Sequence, residues 1–481
     1  MFNVIFYDDI ETKTTSSGKI ISTRVPSRYV CTTMTSADGF FKDCQMQKFV
    51  GSFPALSSAN YMFENAKIQY IKDIEIVENE EETGTREEEI PANFSSVTDG
   101  AFMFSDCLNL TDVNIDLRSL VAAEGIFSGC VELTSISGNM DSLQIADGMF
   151  SGCGKLTNFT LSMSNLESAN AMFSNSGINN VYQFDSLENA FSMYKNCPNL
   201  GIVDITYPSL IDADMMFAYS SVTNITIKAP KLFNGEQMFY ICPSLSSATC
   251  HFDSLDNGDE MFYDCDSLDN VYLRAPKMVS AKNMFTGSAM FRLFEGDLRG
   301  LKDGTEMFKS TSISVFLPTN LDSLEIGNSM FFGNNFTNWK IDMPKLVSGV
   351  AMFAGSIIPS METGLTDFTA DLSKLENGYQ MFTTCNYLTN FNCALPSLKN
   401  GYEMFKGCKL SPQSIMYIVE SLPTYTNTTA TIDLGINATS ATVDEFAQET
   451  GFYSSFNEIT QRLRSKGWNP IWWDKNTTAI N

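Results

Sequence analysis

The segment Ala146-Asp147-Gly148-Met149-Phe150-Ser151-Gly152-Cys153-Gly154-Lys155-Leu156 decides the fold, because its pattern returns along most of the chain. With Phe150 as the anchor, an aromatic residue fills the equivalent position in sixteen places. Successive anchors lie 21 to 23 residues apart, except for two connections of 41 and 29 residues. This period predicts a solenoid of the leucine-rich-repeat type. The anchors are Phe41, Phe63, Phe104, Phe127, Phe150, Phe173, Tyr194, Phe217, Phe239, Phe262, Phe285, Phe308, Phe331, Phe353, Phe382 and Phe405.

Three further positions of the repeat are also restricted. Ala or Gly lies four residues before every anchor, which predicts a place where neighbouring turns press their backbones together. Met directly precedes fourteen anchors, so most methionines are expected to be packing elements. The position three residues after the anchor holds Cys in nine repeats and Ala, Ser, Thr or Asn in the others. We expect reduced, buried thiols there.

The second half of each repeat has the pattern of a strand. It reads Leu-x-x-Val-x-Ile, as in Leu110, Val113 and Ile115, and this alternation predicts a short strand with one buried face. The sequence therefore predicts an α/β repeat solenoid with one short parallel strand per coil of about 23 residues. The return of each coil is expected to be irregular or a short helix, and non-repeating caps are expected at both ends.

The repeat unit resembles the BspA-type leucine-rich repeat of bacterial surface proteins, over residues 37 to 410. The resemblance implies a non-enzymatic binding or adhesion scaffold, and similar repeats occur in proteins encoded by bacterial viruses. Export signals and wall anchors are common in the surface members. Neither is expected here, since Asp8, Asp9 and Glu11 lie where a signal peptide would carry its apolar core.

Three regions are predicted. Residues 1–36 lie outside the repeat and form a β cap or attachment segment, with strands at Val4 to Tyr7 and Lys19 to Arg24. Residues 37–410 form the solenoid, with an acidic insertion near 71–90. We expect a solvated hairpin there, because consecutive Glu residues lack the spacing of a calcium loop. Residues 411–481 form an α/β cap, with helix signals after Ser411, Thr442 and Ser455.

Charge and composition exclude several functions. The chain carries 31 basic and 56 acidic side chains, and a net charge of −25 argues against nucleic acid as a partner. No apolar run is long enough for membrane insertion. The one histidine, His251, is expected to be an exposed sheet residue without a positioned nucleophile, so we expect no enzyme. No cofactor is expected, and the interrupted Cys column does not suit a metal site, although disulfides between stacked coils remain an alternative.

The outward strand positions form the expected recognition surface, because a repeat array presents them as one continuous field. They are mostly small and polar, so the sequence leaves the binding residues unknown. The positions are Asn114, Asp116, Ser137, Asn139, Thr160, Ser162, Asp204, Thr206, His251, Asp253, Tyr272 and Arg274.

The leading functional hypothesis is a phage virion component, such as a tail fibre or host-binding protein on the virion surface. It follows from an adhesin-like repeat without visible export signal or anchor, and from caps that suit docking into an assembly. The alternatives are a bacterial cell-surface adhesin and an intracellular protein-interaction scaffold. The expected partner is a protein or a cell-surface glycan, with other virion proteins contacting the caps, and the sequence leaves oligomerisation open.

Overall fold

A computed structural model describes residues 5–6, 10–14, 20–24, 29–79, 84–318, 320–334, 336–358, 363–426, 430–437, 456–473 and 479–480. The chain divides into two compact units, Met1–Ser221 and Val222–Asn481. In both units the coils carry a short strand or extended segment on one side and a return made of turns on the other.

The first unit contains twelve strands among its described residues. They are β1 (Ile5–Phe6), β2 (Ile10–Thr14), β3 (Ile20–Arg24), β4 (Tyr29–Val30), β5 (Lys48–Ser52), β6 (Tyr70–Asn79), β7 (Gly84–Ile90), β8 (Ala92–Asn93), β9 (Asp112–Asp116), β10 (Ser135–Asn139), β11 (Asn158–Phe159) and β12 (Ile202–Thr206).

The described part of the second unit adds thirteen strands and two helices. They are β13 (Asn224–Lys228), β14 (Ser247–His251), β15 (Asn270–Arg274), β16 (Leu293–Asp297), β17 (Val315–Pro318), β18 (Asn338–Trp339), β19 (Ile357–Ile358), β20 (Thr363–Gly364), β21 (Asp367–Phe368), β22 (Asn390–Phe391), α1 (Pro412–Ser421), β23 (Thr431–Asn437), α2 (Phe456–Ser465), β24 (Asn469–Trp473) and β25 (Ala479–Ile480).

Strands of successive coils pair in parallel and in register. In the first unit, Val113 of β9 lies beside Ile136 of β10, which lies beside Phe159 of β11. In the second unit, β13 to β17 form a continuous parallel ladder in the same manner. The paired apolar residues are buried, so each strand keeps one face in the core. The predicted parallel-strand solenoid with a spacing of about 23 residues is confirmed.

The anchor aromatics form the centre of the core. Fifteen of the sixteen are fully buried, and only Phe41 of the first coil is partly exposed. Within each unit the rings of successive anchors stack nearly parallel, with centroids 5.0 to 5.7 Å apart. Because each anchor ring lies against the anchor rings of the neighbouring coils, the column of rings extends along the stack within each unit.

The returns of the coils are turns joined by a second hydrogen-bond ladder. Alternate backbone N–H groups donate to carbonyls of the following coil, at 2.8 to 3.0 Å for the coil around Phe127. The four donors of that coil are Ala123, Gly125, Phe127 and Gly129. Every described coil has two residues with positive φ. One lies two positions before the anchor, and the other lies two positions after it. The sequence predicted either an irregular return or a short helix. The return is irregular, and within the described coils it contains no helix.

In six coils, the glycine four positions before the anchor faces a methionine of the next coil. A Cβ built on Gly258 would lie 2.5 Å from Cε of Met284 and 3.0 Å from Sδ of Met278. Met330 and Met404 approach Gly304 and Gly378 in the same way. In these coils the size limit predicted from the sequence is present, but its physical cause is the thioether of the next coil rather than backbone pressed against backbone.

The Cys column of the repeat supplies hydrogen-bond donors inside the core. Seven thiols of the column donate to the carbonyl of the preceding anchor, as Cys130 does to Phe104 at 3.1 Å and Cys153 to Phe127 at 3.2 Å. Ser288 makes the same bond to Phe262 at 2.9 Å. The position therefore selects a small side chain, and in every coil except that of Ala66 this side chain can donate a hydrogen bond. All twelve cysteines are free thiols, as expected from the sequence.

The non-repeating segments contain most of the antiparallel pairing. β1 pairs with β4, and β2 pairs with β3, which agrees with strands near Val4 to Tyr7 and Lys19 to Arg24. The acidic insertion forms a hairpin of β6 and β7. Beyond residue 410 the polypeptide forms α1, β23, α2 and β24, with the Ser411 hydroxyl capping α1. The helix expected after Thr442 lies outside the described residues.

Candidate binding surface on the strand face

The outer strand face of the first unit is mostly polar, with Ile202 of β12 as an exposed apolar exception, and several of its polar groups bond within the sheet. The hydroxyl of Thr160 donates to the carbonyl of Ile136 at 3.2 Å, and that of Ser137 donates to Val113 at 3.4 Å. The outward position Asp116 is an exception to the predicted exposure, because it is only 8% exposed. Its carboxylate accepts hydrogen bonds from the Arg118 guanidinium, which lies over it.

The corresponding face of the second unit contains the outward positions His251, Asp253, Tyr272 and Arg274. His251 is half-buried rather than exposed, and its ring centroid lies 5.6 Å from that of Tyr272. Arg274 is exposed, and its Nε donates to Oδ1 of Asp253 at 2.5 Å. This hydrogen bond raises the pKa of the Arg274 guanidinium. These residues surround a group of exposed apolar side chains.

Four exposed apolar side chains lie together on β15, β16 and β17. Tyr272, Leu293, Val315 and Leu317 expose 38%, 36%, 42% and 55% of their surface. Leu293 lies directly beside Val315, while Glu295 lies between Tyr272 and Leu317 in the register. Neighbouring strands are about 4.8 Å apart, so these residues form one surface, which we call the strand-face patch.

The sequence did not reveal this patch because its strands break the usual alternation. Leu293-Phe294 and Phe316-Leu317 are pairs of adjacent apolar residues, so the pattern does not say which one faces the core. In the structure Phe294 and Phe316 are buried, and Leu293 and Leu317 face solvent. The detectable signal was three aliphatic residues, Leu293, Val315 and Leu317, at outward positions that are mostly polar in the other coils.

A groove borders the patch where the ladder of strands is interrupted after β17. The groove has a volume of about 510 Å³. Its floor consists of the buried rings of Phe316, Phe336 and Trp339. Val315 and Leu317 line its rim, so the patch continues into the groove. A concave apolar site beside exposed apolar side chains suits the insertion of side chains from a partner.

The arginines around the patch are paired with acids. Arg292 bonds to Asp269 and Arg299 bonds to Asp297, and each interaction holds the pKa of the aspartate below its usual value. Glu295 is exposed and has no hydrogen-bond or ion-pair partner among the described residues. It is therefore an uncompensated charge in the patch.

Three further possibilities within the described ranges are a metal site, reactive thiols and a membrane-spanning helix. No group of three His, Cys, Asp or Glu side chains there is arranged to hold a metal ion. Burial raises the pKa of the Cys153 and Cys385 thiols to about 12, so they are protonated and unreactive at neutral pH. None of the helices within these ranges has the length and apolar character needed to cross a bilayer.

Comparison with known proteins identifies the repeat. The family model for the BspA type leucine-rich repeat region matches in six copies, over residues 81–201, 188–292 and 304–431. No curated protein matches the sequence.

Three solved structures are similar at low identity. A leucine-rich repeat protein from Bacteroides ovatus has 13% identity and a TM-score of 0.25, with 82% of this chain and 90% of the other covered. A leucine-rich cell surface protein from Faecalibacterium prausnitzii has 14% identity and a TM-score of 0.22, with 61% and 94% covered. The pneumococcal vaccine antigen PcpA has 15% identity and a TM-score of 0.30, with 94% and 97% covered. Since the family model matches well over half of its length, the chain belongs to the BspA-type leucine-rich repeat family.

Proposed function

We propose that this protein is a non-catalytic binding scaffold that holds a partner protein on the strand-face patch. The observation that carries the proposal is the cluster of Tyr272, Leu293, Val315 and Leu317 on three neighbouring strands, beside a groove. Contiguous exposed apolar surface beside a concave groove is characteristic of protein interaction sites. Three of the four side chains are aliphatic, which favours a protein partner over a glycan stacked on aromatic rings.

We further propose that the binding serves adhesion at a bacterial cell surface. The family to which the chain belongs supports this setting, and one similar structure is described as a cell surface protein. The virion component and the intracellular scaffold remain hypotheses from the sequence, and no feature of the described residues favours either. Residues 1–36 and 411–481 are proposed as caps of a solenoid spanning 37–410.

An array of purified bacterial and host surface proteins tests the proposal. The full chain is compared with the Leu317→Asp variant and with Phe233→Asp as a matched control. Phe233 is 54% exposed and Leu317 55%, but Phe233 lies in an irregular segment outside the patch. We expect proteins that bind the wild type and the control but bind Leu317→Asp at least ten-fold more weakly, since a charge at the centre of an apolar contact is desolvated without a partner. Equal binding by all three chains would refute the patch as the site.

A further inference from the structure

A small cleft adjoins the strand-face patch and differs from the apolar groove. It has a volume of about 240 Å³ and lies among Tyr272, Arg274, Glu295, Asp297, Leu317 and Pro318. Tyr272 and Leu317 flank Glu295 on the two neighbouring strands. The cleft therefore combines an aromatic ring, an aliphatic wall and carboxylates in a space suited to a single side chain.

We propose that this cleft receives a lysine or arginine side chain of the partner, which makes the partner segment basic as well as apolar. This inference rests on the proposed function. The methylenes of a long cationic side chain can pack on Leu317, while its charged end meets the ring of Tyr272 and the carboxylate of Glu295.

The charges around the cleft favour a cation over an anion. Arg274 is paired with Asp253, and Asp297 is paired with Arg299, so these four charges are compensated within the protein. The remaining charge is that of Glu295, which has no partner in the described part of the chain. An anionic group in the cleft would be repelled by this carboxylate, whereas a cation would neutralise it.

The charge of the whole chain acts in the same direction. With a net charge of −25, the protein attracts basic partners and repels acidic ones over distances of about a Debye length, ~10 Å at 0.1 M salt. Recognition is accordingly expected to weaken as salt is added. The aliphatic contacts of the patch would supply the remaining affinity.

A random peptide library displayed on yeast tests this inference with the full chain as bait. Peptides that bind the wild type but not Leu317→Asp are sequenced, and selected peptides are synthesised for affinity measurements. We expect Lys and Arg next to aliphatic or aromatic residues in these peptides. Binding should weaken about ten-fold with Glu295→Gln and remain unchanged with Glu325→Gln, an exposed carboxylate outside the cleft.

The outcomes separate the inference from the function on which it rests. Peptides that require Leu317 but show no enrichment of Lys or Arg, and bind Glu295→Gln as well as the wild type, would overturn the basic partner and leave the patch as a binding site. Peptides that bind regardless of Leu317 would overturn both. Enrichment of acidic peptides at the patch would also overturn the inference.

Discussion

Two left-handed residues in each coil determine the path of the return. A non-glycine residue with positive φ costs about 1–2 kcal/mol, yet Tyr219 and Ile241 adopt φ of 62° and 50°. This cost is offset because alternate N–H groups then point to the next coil and bond there. The sequence carries a signal of this conformation, since Gly, Asn or Asp fills twelve of the sixteen positions two residues after the anchor.

At this position, replacing Ile241 with Asn is expected to stabilise the second unit by about 1 kcal/mol, because Asn tolerates the left-handed region better than a β-branched residue. The reverse test is Gly152→Ala, where φ is +77° and the nearest atom lies 3.6 Å from the added Cβ. That variant should lose about 1 kcal/mol through strain alone. Urea unfolding followed by circular dichroism measures both, and unchanged midpoints would show that the turns carry no strain.

Packing between coils gives a second prediction at the scale of one residue. Gly258→Val places methyl groups where Met284 Cε lies 2.5 Å from the added Cβ. We expect a loss of about 1–3 kcal/mol from overpacking. Gly201→Val is the control, since nothing lies within 4 Å of its added Cβ. If urea unfolding shows equal losses for the two variants, backbone entropy rather than the methionine explains the restriction.

At the scale of elements, the sequence predicted the strands and the start of α1, but it did not predict the strand-face patch. Val113 and Ile115 alternate with polar residues, so β9 and its buried face followed from the pattern. Ser411 and Pro412 marked the start of α1 correctly. The strand-face patch did not follow, because adjacent apolar residues such as Phe316 and Leu317 fit either face. Which of the two side chains faces the core is decided only by how the strand pairs with the strands of the neighbouring coils.

The Cys column predicts a dependence of stability on alkaline pH. Burial raises the pKa of Cys153 and Cys385 from 9.0 to about 12, so the folded protein holds these protons more tightly than the unfolded chain. Their contribution to stability is complete below pH 9 and is lost as the pH rises towards 12. The urea concentration at the midpoint of unfolding should therefore decrease from pH 7 to pH 9.5 and again to pH 11.

The matched variant for this prediction replaces both thiols with hydroxyls. Cys153→Ser with Cys385→Ser keeps a donor of the kind that Ser288 supplies in its own coil, and it removes two titrating groups. The stability of the double variant should fall less steeply between pH 9.5 and 11 than that of the wild type. Parallel curves would mean that other groups, and not these thiols, control the alkaline loss.

At the scale of the whole molecule, a stack of coils is stabilised mainly by contacts between neighbours, so its ends are its weakest places. The last coil is covered from within the segment 411–481. The Ser414 hydroxyl accepts from the N–H of Phe391 at 2.8 Å, and the Tyr425 hydroxyl donates to the carbonyl of Leu398 at 2.6 Å. The N–H of Gly401 donates to Thr431 at 2.9 Å, which continues the ladder of the returns into β23.

Removing residues 411–481 should therefore uncover Phe391 and Phe405, which are fully buried in the complete chain. We expect the truncated protein to bind a hydrophobic dye and to melt several degrees lower, because the last apolar layer loses its cover and its backbone partners. Substituting Ser414 with Ala in the full chain removes one of these bonds without uncovering the layer, and it should cost only about 1 kcal/mol. If the truncated chain melts at the temperature of the full chain and binds no dye, the proposed role of 411–481 as a cap is wrong, and the segment is free to serve attachment instead.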